Sequence, residues 1–558
     1  MRLWLALVTV ALLMPVSVAL AAVSDPNWTE TVFTSDGNAH TGLAWAPDGS
    51  DRLFVTEKTG RVRVYSGSLS TGAGTWSTFA TMSPIFTNSE CGLIGMAFDP
   101  DFARNQLVYF FVTVSSSEQQ IIRYDASGAT GTGRTVIVDQ LPTDGFNHDG
   151  GGVGFAADGK LYWSIGDLGS GTGVDNNLSS LASKVGRAKR DGTLPADNPF
   201  DDGAGPNNDY IWARGFRNPF TMQIQPSTGQ MWLNVVGSGH EQIFVVGAGD
   251  HGGWNDFEND QPAGFIIPKI VYRTNGSDTR SITSAVRSGG VSTFTTSVNH
   301  GFRVGGNLTI SGVGDGSFNQ SNLYVASVPS ATTFTAQQAG PDASSASGNA
   351  VTLNQGGCLT GGAFYDGSLA SEPYRGNFFY GDCNSGRIMR ARIDPMTNAV
   401  LSTDHWATGI SSQVDVAGGP DGALYYVGVS TSNVYRASFN VGAQGLVVSD
   451  LNRRIDEGGE AVTMVSLASM PAGDVLVNVA RSAGDADVNV MTGAALTFTS
   501  ANWSRPQAVR LMALSDADTV DDNATVSVSS AGLPTVAIAV SVLDLGGGLD
   551  GIFADDFE

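Results

Sequence analysis

The feature that most constrains the fold is a motif that recurs about six times: an apolar strand, a turn of the type Pro/Ala-Asp-Gly, and a second apolar strand. The turn is clearest at residues 47–49, 157–159 and 420–422. Apolar residues alternate at a period of two within each copy, which is typical of β-strands with one buried face. Such a meander cannot bury its apolar face alone, so the copies must pack against one another.

The spacing of the copies indicates how they pack. They recur at roughly 40 to 65 residues, with one large interruption, which fits four-stranded blades around a central channel. We therefore predict an all-β fold whose main domain is a six-bladed β-propeller. The early strand at residues 28–33 would pair into the last blade and close the ring, which removes exposed strand edges.

Changes in pattern divide the chain of 558 residues into several domains. The propeller is predicted over residues 22–440, and a stretch rich in Ser, Thr and Gly at about 280–353 is predicted to be a small inserted β-module. Residues 445–545 lack the Asp-Gly turns but alternate like strands, and they resemble the Calx-β-like sandwiches of secreted bacterial proteins. Residues 546–558 form an acidic tail.

An acidic loop in the predicted sandwich contains Asp516, Asp518, Asp521 and Asp522. It has two interpretations: a Ca²⁺ site, because carboxylate oxygens suit this cation, or a solvated loop.

The first 21 residues have the pattern of a secretory signal. Arg2 precedes a long apolar run that ends at Ala19-Leu20-Ala21, a small-residue cleavage site. No later apolar stretch reaches the roughly 20 residues needed to span a bilayer. The sequence therefore predicts a secreted or periplasmic protein that begins at Ala22 and has no membrane span.

The net charge argues against two classes of partner. The chain has 53 acidic and 30 basic residues and a formal net charge of −23. Such a surface repels nucleic acid and anionic lipid.

Three cysteines leave an odd one in any intrachain pairing. Cys358 and Cys383 would lie on neighbouring strands of one blade, whereas Cys91 is two or more blades away. In an oxidising compartment this favours a Cys358–Cys383 disulfide, and the alternative is three buried thiols.

The segment Phe146-Asn147-His148-Asp149-Gly150-Gly151-Gly152 places a histidine on a glycine-rich strand start at the mouth of one copy. Histidine side chains titrate near neutral pH, which suits the removal of a proton from a hydroxyl group. The alternative is a histidine whose hydrogen bonds are satisfied by its own loop. For His40, His251 and His405 we predict surface positions.

Four segments in order resemble one family. They are GLIGMAFDPDFARNQLVYFFVTV, FNHDGGGVGFAADGKLYWSIGD, SKVGRAKRDGTLPADNPF and YIWARGFRNPFTM. They resemble the glucose/sorbosone dehydrogenase family, the soluble aldose sugar dehydrogenases that depend on pyrroloquinoline quinone (PQQ). The resemblance covers about residues 28–440 without the insertion and implies a six-bladed propeller.

The resemblance implies a reaction, with roles for residues that match the family motifs. A hydride would pass from the anomeric carbon of an aldose to the quinone, and His148 would be the base that removes the hydroxyl proton. Asp167 would orient the histidine. Arg217 and Asn218 would contact the quinone oxygens, and Glu90 would contact the sugar.

The resemblance also implies calcium and an electron acceptor. Backbone carbonyls of Gly237 and Ser238 would bind a Ca²⁺ ion beside the quinone, and Glu241 lies in the region of a second, structural Ca²⁺ site. The substrate would be an aldose sugar or oligosaccharide, and the acceptor that reoxidises the cofactor is unknown.

The sequence departs from the family at three cofactor-binding positions. Asn384, Ser412 and Val414 stand where a lysine and two arginines are expected to bind the three carboxylates of PQQ. Each charge-assisted contact is worth on the order of 1.5–3 kcal/mol. Four other cations are candidates to replace them: Arg387, Arg214, Lys184 and Arg187. A second hypothesis is therefore a non-catalytic propeller that binds a glycan or a protein.

Overall fold

The computed structural model describes residues 22–170, 173–516 and 518–544. The predicted signal at 1–21 and the predicted tail at 546–558 lie outside these ranges. Within them the only helical elements are α1 (Phe102–Asn105) and two 3-10 turns, Gly316–Phe318 and Glu372–Tyr374. No helix in these ranges has the length and apolar character needed to cross a bilayer. The predicted all-β class is confirmed.

The first part of the chain forms four antiparallel sheets of four strands, here called blades 1 to 4. Two short strands precede them, β1 (Ala22–Val23) and β2 (Trp28–Ser35). Blade 1 contains β3 (His40–Trp45), β4 (Leu53–Glu57), β5 (Arg61–Gly67) and β6 (Gly74–Thr81). Blade 2 contains β7 (Leu93–Phe98), β8 (Leu107–Ser115), β9 (Glu118–Asp125) and β10 (Thr132–Leu141). Blade 3 contains β11 (Val153–Phe155), β12 (Leu161–Ile165), β13 (Lys184–Ala188) and β14 (Ile211–Arg214). Blade 4 contains β15 (Asn218–Ile224), β16 (Met231–Val236), β17 (His240–Val246) and β18 (Ile270–Arg273).

A separate sheet follows blade 4 and is here called the inserted module. Its strands are β19 (Thr279–Ser288), β20 (Val291–Thr296), β21 (Asn307–Ser311), β22 (Gln320–Ser330), β23 (Thr333–Gln337), β24 (Ala343–Ser345) and β25 (Asn349–Thr352). Pairing of β19 with β20 closes the sheet into a small barrel with its own apolar core. The module contacts blade 5 through Asn307 and Tyr324, which both donate hydrogen bonds to Asp404.

Two further blades complete the propeller. Blade 5 contains β26 (Leu359–Phe364), β27 (Phe378–Asp382), β28 (Arg387–Ile393) and β29 (Val400–Thr408), with β1 at its outer edge. Blade 6 contains β30 (Gln413–Gly418), β31 (Leu424–Gly428) and β32 (Asn433–Phe439), with β2 as its outermost strand. The pairing of Trp28–Ser35 into the last blade confirms the predicted ring closure.

The six innermost strands form a closed cycle, in which β3, β7, β11, β15, β26 and β30 each contact the next and β30 contacts β3. The apolar clusters lie between neighbouring blades rather than within one. Trp163, for example, belongs to a cluster of blades 2 and 3, Trp232 to one of blades 4 and 5, and Trp406 to one of blades 5 and 6. Each blade therefore buries its faces only because the ring is complete.

The last part of the chain folds into two sheets around a single apolar core, here called the C-terminal domain. Its strands are β33 (Leu446–Val448), β34 (Asn452–Asp456), β35 (Glu460–Leu467), β36 (Val475–Gly484), β37 (Val488–Thr492), β38 (Ala495–Phe498), β39 (Gln507–Ala513), β40 (Asp522–Ser529) and β41 (Val536–Leu543). One sheet has the order β33-β35-β39-β37 and the other β34-β41-β40-β36-β38.

The C-terminal domain packs against one end of the propeller. The Glu460 amide donates to Asp101 over 3.0 Å, and Asn452 donates to Asp366 over 2.6 Å. Asp101 and Asp366 follow the ends of the innermost strands of blades 2 and 5. The domain thus covers the end where the innermost strands finish, called the lower end below.

Cys358 and Cys383 form a disulfide within blade 5, with their Cα atoms 5.2 Å apart, as predicted. Cys358 directly precedes β26, and Cys383, 25 residues later, directly follows the antiparallel strand β27. Cys91 is a buried free thiol that hydrogen-bonds Asp149.

Glu241 links blades 4 and 5 from a fully buried position on β17. Its Oε2 accepts hydrogen bonds from the Leu359 amide at 3.1 Å and the Gly237 amide at 3.4 Å, and its Oε1 accepts from the Thr274 hydroxyl. Burial raises the pKa of Glu241 to about 7, despite these donors. The carboxylate therefore has a structural role that does not require a metal ion.

We expect removal of the disulfide to destabilise the protein. Replacing Cys358 and Cys383 by serine should lower the free energy of unfolding by about 3 kcal/mol, because the unfolded chain regains the entropy of an open loop. Urea unfolding with and without a reductant measures this. A reductant should lower the stability of the wild-type protein and leave that of the double variant unchanged; equal effects would contradict the prediction.

We expect Glu241→Gln to change how stability depends on pH. Because the folded-state pKa is raised, the carboxyl group favours folding below its ordinary pKa, and this advantage disappears as the pH rises through about 7. Between pH 4 and 8 the wild-type protein should lose on the order of 3 kcal/mol of its free energy of unfolding. The glutamine amide stays neutral, so the variant should not show this loss. Thermal unfolding across this range, with the exposed Glu372→Gln as control, measures the difference. If Glu241 instead binds a metal ion, Ca²⁺ will stabilise the wild-type protein at pH 8 and not the variant.

Candidate active site

The candidate site lies at the upper end of the propeller, where the innermost strands begin. All six innermost strands run in the same direction, so the residues that precede them converge at one mouth. His148 lies in the loop before β11, and Asp167 lies just after the neighbouring strand β12. Residues from different turns of one blade are thus brought together at the channel.

His148 and Asp167 form a close pair. His148 Nδ1 lies 2.5 Å from Asp167 Oδ1, and the side chains are 15% and 2% exposed, respectively. Burial alone would raise the pKa of Asp167, but hydrogen bonds from His148, Gly169 and Trp254 and the His148 charge hold it below its ordinary value. An ionised carboxylate can only accept, so Nδ1 carries the proton and Nε2 is the basic atom. Among the described residues, none hydrogen-bonds Nε2.

Backbone geometry presents His148 to the mouth. His148 has a φ of 56°, in the left-handed region that non-glycine residues rarely adopt. The Glu90 carboxylate stabilises this conformation, because its Oε2 accepts from the His148 amide at 2.8 Å. Gly150 follows with a φ of 77°, and a Cβ atom there would lie 2.2 Å from the Ser164 carbonyl oxygen. The glycine-rich start of the strand is therefore a steric requirement.

Asn218 and Arg217 begin blade 4 beside this pair. Asn218 Nδ2 donates to Glu90 Oε2 at 2.9 Å, and its Oδ1 accepts from the Gly150 amide at 3.2 Å. Arg217 donates to the Val236 and Gly237 carbonyls. Glu90, predicted to contact the sugar, here joins the His148 loop to blade 4, and its role toward a sugar stays a prediction.

Trp254 and Glu258 belong to the site but were not predicted from the sequence. Both lie in the loop between β17 and β18. Trp254 Nε1 donates to Asp167 Oδ2 at 2.6 Å, and the Arg217 guanidinium lies 5.6 Å from the centre of its ring. Glu258 accepts hydrogen bonds from the Ser238 and Gly239 amides. No local pattern marks these two residues, because only the path of a long loop brings them to the mouth.

The predicted surface position of His251 is wrong. His251 is 9% exposed, and its Nε2 lies 3.2 Å from Asp175 Oδ2. Burial and the nearby Arg214 lower its pKa, although Asp175 opposes them. His40 is also buried, with its ring on the Asp36 carbonyl. A single histidine in a polar loop gives no sign of whether the fold will cover it.

The predicted metal positions surround the β16–β17 turn. The Gly237 carbonyl accepts from Arg217 at 3.0 Å, Ser238 is held by Glu258, and Glu241 accepts three hydrogen bonds as described above. In the described parts of the chain, Asp516, Asp518 and Asp522 are the only cluster of three or more His, Cys, Asp or Glu residues close enough to share one ion. That cluster lies in the C-terminal domain.

The four cations that were predicted to replace the missing lysine and arginines already bind other groups of the protein. Lys184 is fully buried and donates to the Val174 and Ala182 carbonyls, and burial lowers its pKa to about 7. Arg187 binds Asp158 in the turn before β12, at the lower end. Arg214 donates to Asn176. Arg387 donates to the Asn354 carbonyl and lies in the same turn region as Asn384, whose amide donates to Gly357.

Two curated relatives have names that describe sugar oxidation. The chain is 27% identical over 227 residues to an aldose sugar dehydrogenase of Escherichia coli, which covers 38% of this chain and 57% of that protein. It is 27% identical over 270 residues to quinoprotein glucose dehydrogenase B of Acinetobacter calcoaceticus, covering 42% and 54%. The chain spans between 54% and 65% of the length of the first curated relatives it matches.

Solved structures support the fold. An oxidoreductase described as a glucose dehydrogenase, from Thermus thermophilus, superposes with a TM-score of 0.52 at 20% identity, over 74% of this chain and 99% of that one. A second glucose dehydrogenase gives 0.53 at 19% identity over the same shares. The family model for glucose/sorbosone dehydrogenase matches residues 38–323. Because this match spans just over half of the chain, the protein belongs to the glucose/sorbosone dehydrogenase family.

Proposed function

We propose that the protein oxidises an aldose sugar or oligosaccharide at the anomeric carbon with PQQ as cofactor. The observation that carries the proposal is the His148–Asp167 pair, in which an ionised carboxylate holds Nδ1 and no described residue hydrogen-bonds Nε2. Family membership and the names of the relatives support the same reaction class. The predicted signal and the disulfide favour a periplasmic or secreted location.

The residues at the mouth fit the quinone oxygens of PQQ, but positively charged residues are missing where its carboxylates are expected. Arg217 and Asn218 offer a cation and an amide donor beside His148, which suits oxygens that gain negative charge on reduction. At the carboxylate end of PQQ, a lysine and two arginines are expected, and Asn384, Ser412 and Val414 stand at those positions instead. We therefore expect the cofactor to bind, but more weakly than a full set of cations would allow.

The chain's own residues would handle the proton. His148 Nε2 would accept the proton of the anomeric hydroxyl, and Asp167 would stabilise the imidazolium that forms. Asn218 and Glu90 would keep the His148 loop in its left-handed conformation while the sugar is bound. When bound, PQQ supplies the two-electron acceptor for the hydride from the anomeric carbon.

The calcium part of the proposal rests on the β16–β17 turn. The carbonyls of Gly237 and Ser238 are hard oxygen ligands of the kind that Ca²⁺ prefers. Arg217 donates to the Gly237 carbonyl, which has a second lone pair that a Ca²⁺ ion could use.

A second candidate function is glycan or protein binding without catalysis. The missing cations at residues 384, 412 and 414 favour it, because loss of three charge-assisted contacts could weaken cofactor binding by several orders of magnitude. In this case His148 and its neighbours would serve as hydrogen-bonding groups for the ligand.

Reconstitution tests the proposal. The protein made without cofactor should bind PQQ in the presence of Ca²⁺ and then reduce an artificial dye with at least one aldose from a panel. His148→Gln should lower kcat by about 10²- to 10⁴-fold because the base is lost. His405→Gln is the matched control, since His405 lies on β29 of blade 5 and its ring contacts the Asn354 carbonyl.

Four outcomes separate the two functions. Dye reduction that needs PQQ and His148 supports the dehydrogenase and identifies the sugar. PQQ binding at micromolar concentrations without sugar oxidation contradicts it, and so does the absence of PQQ binding. Glycan binding by the cofactor-free protein that weakens in His148→Gln, without sugar oxidation under any condition, would favour the non-catalytic function.

Restoring a missing cation should strengthen cofactor binding. Asn384→Lys would place an ammonium group where the family resemblance predicts one, and a single charge-assisted contact should lower the Kd for PQQ by about 10- to 100-fold. Fluorescence titration with PQQ measures the change, with Asn384→Gln as an uncharged control of similar length. An unchanged Kd in the lysine variant would show that residue 384 does not face the cofactor.

A further inference from the structure

Asp167 has a second partner besides His148. Its Oδ1 accepts from Gly169 and faces His148, whereas its Oδ2 accepts only from Trp254 Nε1 among the described residues. The Asp167 side chain is 2% exposed, so water has little access to Oδ2. The indole N–H is a donor only, and the 2.6 Å distance indicates a charge-assisted hydrogen bond.

We propose that Trp254 is a positioning residue for the His148–Asp167 pair, delivered by the β17–β18 loop and braced by the inserted module. The indole fixes the plane of the carboxylate, so that Oδ1 points at His148 Nδ1 and the ring keeps its basic Nε2 toward the mouth. This inference rests on the proposed function for its catalytic consequence. The positioning itself can be measured without substrate or cofactor.

The path of the loop explains how Trp254 reaches the upper end. The loop leaves β17 at the lower end and runs upward beside β14, where Arg214 donates to the Asp250 carbonyl and the Gly252 amide donates to Arg214. The Trp254 amide then donates to the Gly215 carbonyl at 3.1 Å. The segment therefore behaves as an extra strand beside blade 3, and its end is fixed by backbone hydrogen bonds.

A buried hydrogen bond and a glycine hold the loop against blade 3. His251 Nδ1 accepts from the Gly253 amide at 3.0 Å, so Nε2 carries the proton that is donated to Asp175. Gly215 permits this contact, because it has a φ of 83° and a Cβ atom there would lie 2.3 Å from His251 Nδ1. His251, which has no direct contact with the catalytic pair, thus fixes the segment three residues before Trp254.

Arg217 connects Trp254 to the predicted cofactor contacts. Its guanidinium lies 5.6 Å from the centre of the indole ring while it donates to Gly237. A cation over an aromatic face is attracted to it, and Trp is the strongest partner. Trp254 therefore contacts both the carboxylate that orients the base and the cation predicted to meet the quinone.

The inserted module supports the far side of the loop. Arg303 donates to the Asn259 carbonyl at 2.9 Å, and Asn259 Nδ2 donates to the Gly301 carbonyl at 3.2 Å. Arg303 is partly buried, so this contact is partly shielded from solvent. Asn259 lies five residues after Trp254. The module thus contacts the loop that forms part of the site, although its own strands pack against blade 5.

The alternative is that Trp254 only fastens the loop. Both roles would lower stability when the indole is removed, so unfolding data cannot distinguish them. Only a positioning role changes the state of His148, because a buried carboxylate oxygen that loses its donor rotates toward another one. The tautomer of His148 is therefore the deciding measurement.

The experiment uses Trp254→Phe, which keeps an aromatic ring near Arg217 and removes the N–H donor. Imidazole ¹⁵N spectra of the full protein without cofactor report the tautomers, and with six histidines in the chain, His148→Gln assigns the signal. We expect only the Nδ1–H tautomer for neutral His148 in the wild-type protein and a mixture in Trp254→Phe. Trp76→Phe is the control, because it removes the indole of β6 in blade 1, which donates to Thr34 on β2 and lies outside the site.

Kinetics provide the second readout. In the reconstituted enzyme, Trp254→Phe should lower kcat by about 10- to 100-fold with little change in KM, since one hydrogen bond to a charged group is lost. An unchanged His148 tautomer in a folded Trp254→Phe variant would overturn the inference, whatever its activity. A changed tautomer without dye reduction in any variant would support positioning and contradict the proposed function instead.

Arg303→Gln tests the brace from the module. We expect the His148 spectrum to show a tautomer mixture, with less of the second tautomer than in Trp254→Phe, because the loop loses its contact with the module. Arg280→Gln is the matched control, since Arg280 donates to the Asn299 carbonyl within the module. If Arg303→Gln leaves the spectrum like that of the control, the module has no part in positioning.

Discussion

The structure depends on closure of the ring. Because the apolar clusters of the propeller lie between neighbouring blades, each blade needs two neighbours, and the first and last must meet. Strand β2 makes this possible by pairing with β32, so that the start of the propeller completes its last blade. The closed cycle of innermost strands also fixes where their starting residues lie, and those residues form the candidate site.

Closure leaves the two ends of the channel with different surroundings. The lower end is covered by the C-terminal domain, which contacts residues that follow the innermost strands of several blades. The upper end holds His148, Asp167, Asn218 and Glu90, whose hydrogen bonds join three blades. A ligand that reaches these residues would approach from the upper end, so the appended domain is positioned to support the propeller without blocking the mouth.

The site combines rigid blade ends with a long loop. Glu90 and Asn218 hold His148 in a left-handed conformation, and Trp254 completes the hydrogen bonding of Asp167. Residues 384 and 412, two of the positions where the family resemblance predicts cations, make side-chain hydrogen bonds elsewhere, to Gly357 and Ser430.

The sequence by itself determined the all-β class, the repeat, the ring-closing strand and the pairing of Cys358 with Cys383. These follow from patterns that are local or topological: period-two alternation, Asp-Gly turns, and the placement of two cysteines on adjacent strands. The family motifs also identified His148 and Asp167, because both lie within one short ordered segment. Only the tertiary structure decided that Trp254 binds Asp167, that His251 is buried against Asp175, and that Glu241 joins two blades. Each of these contacts connects residues from separate blades or from a long loop, and no spacing along the chain specifies which distant groups a loop will meet.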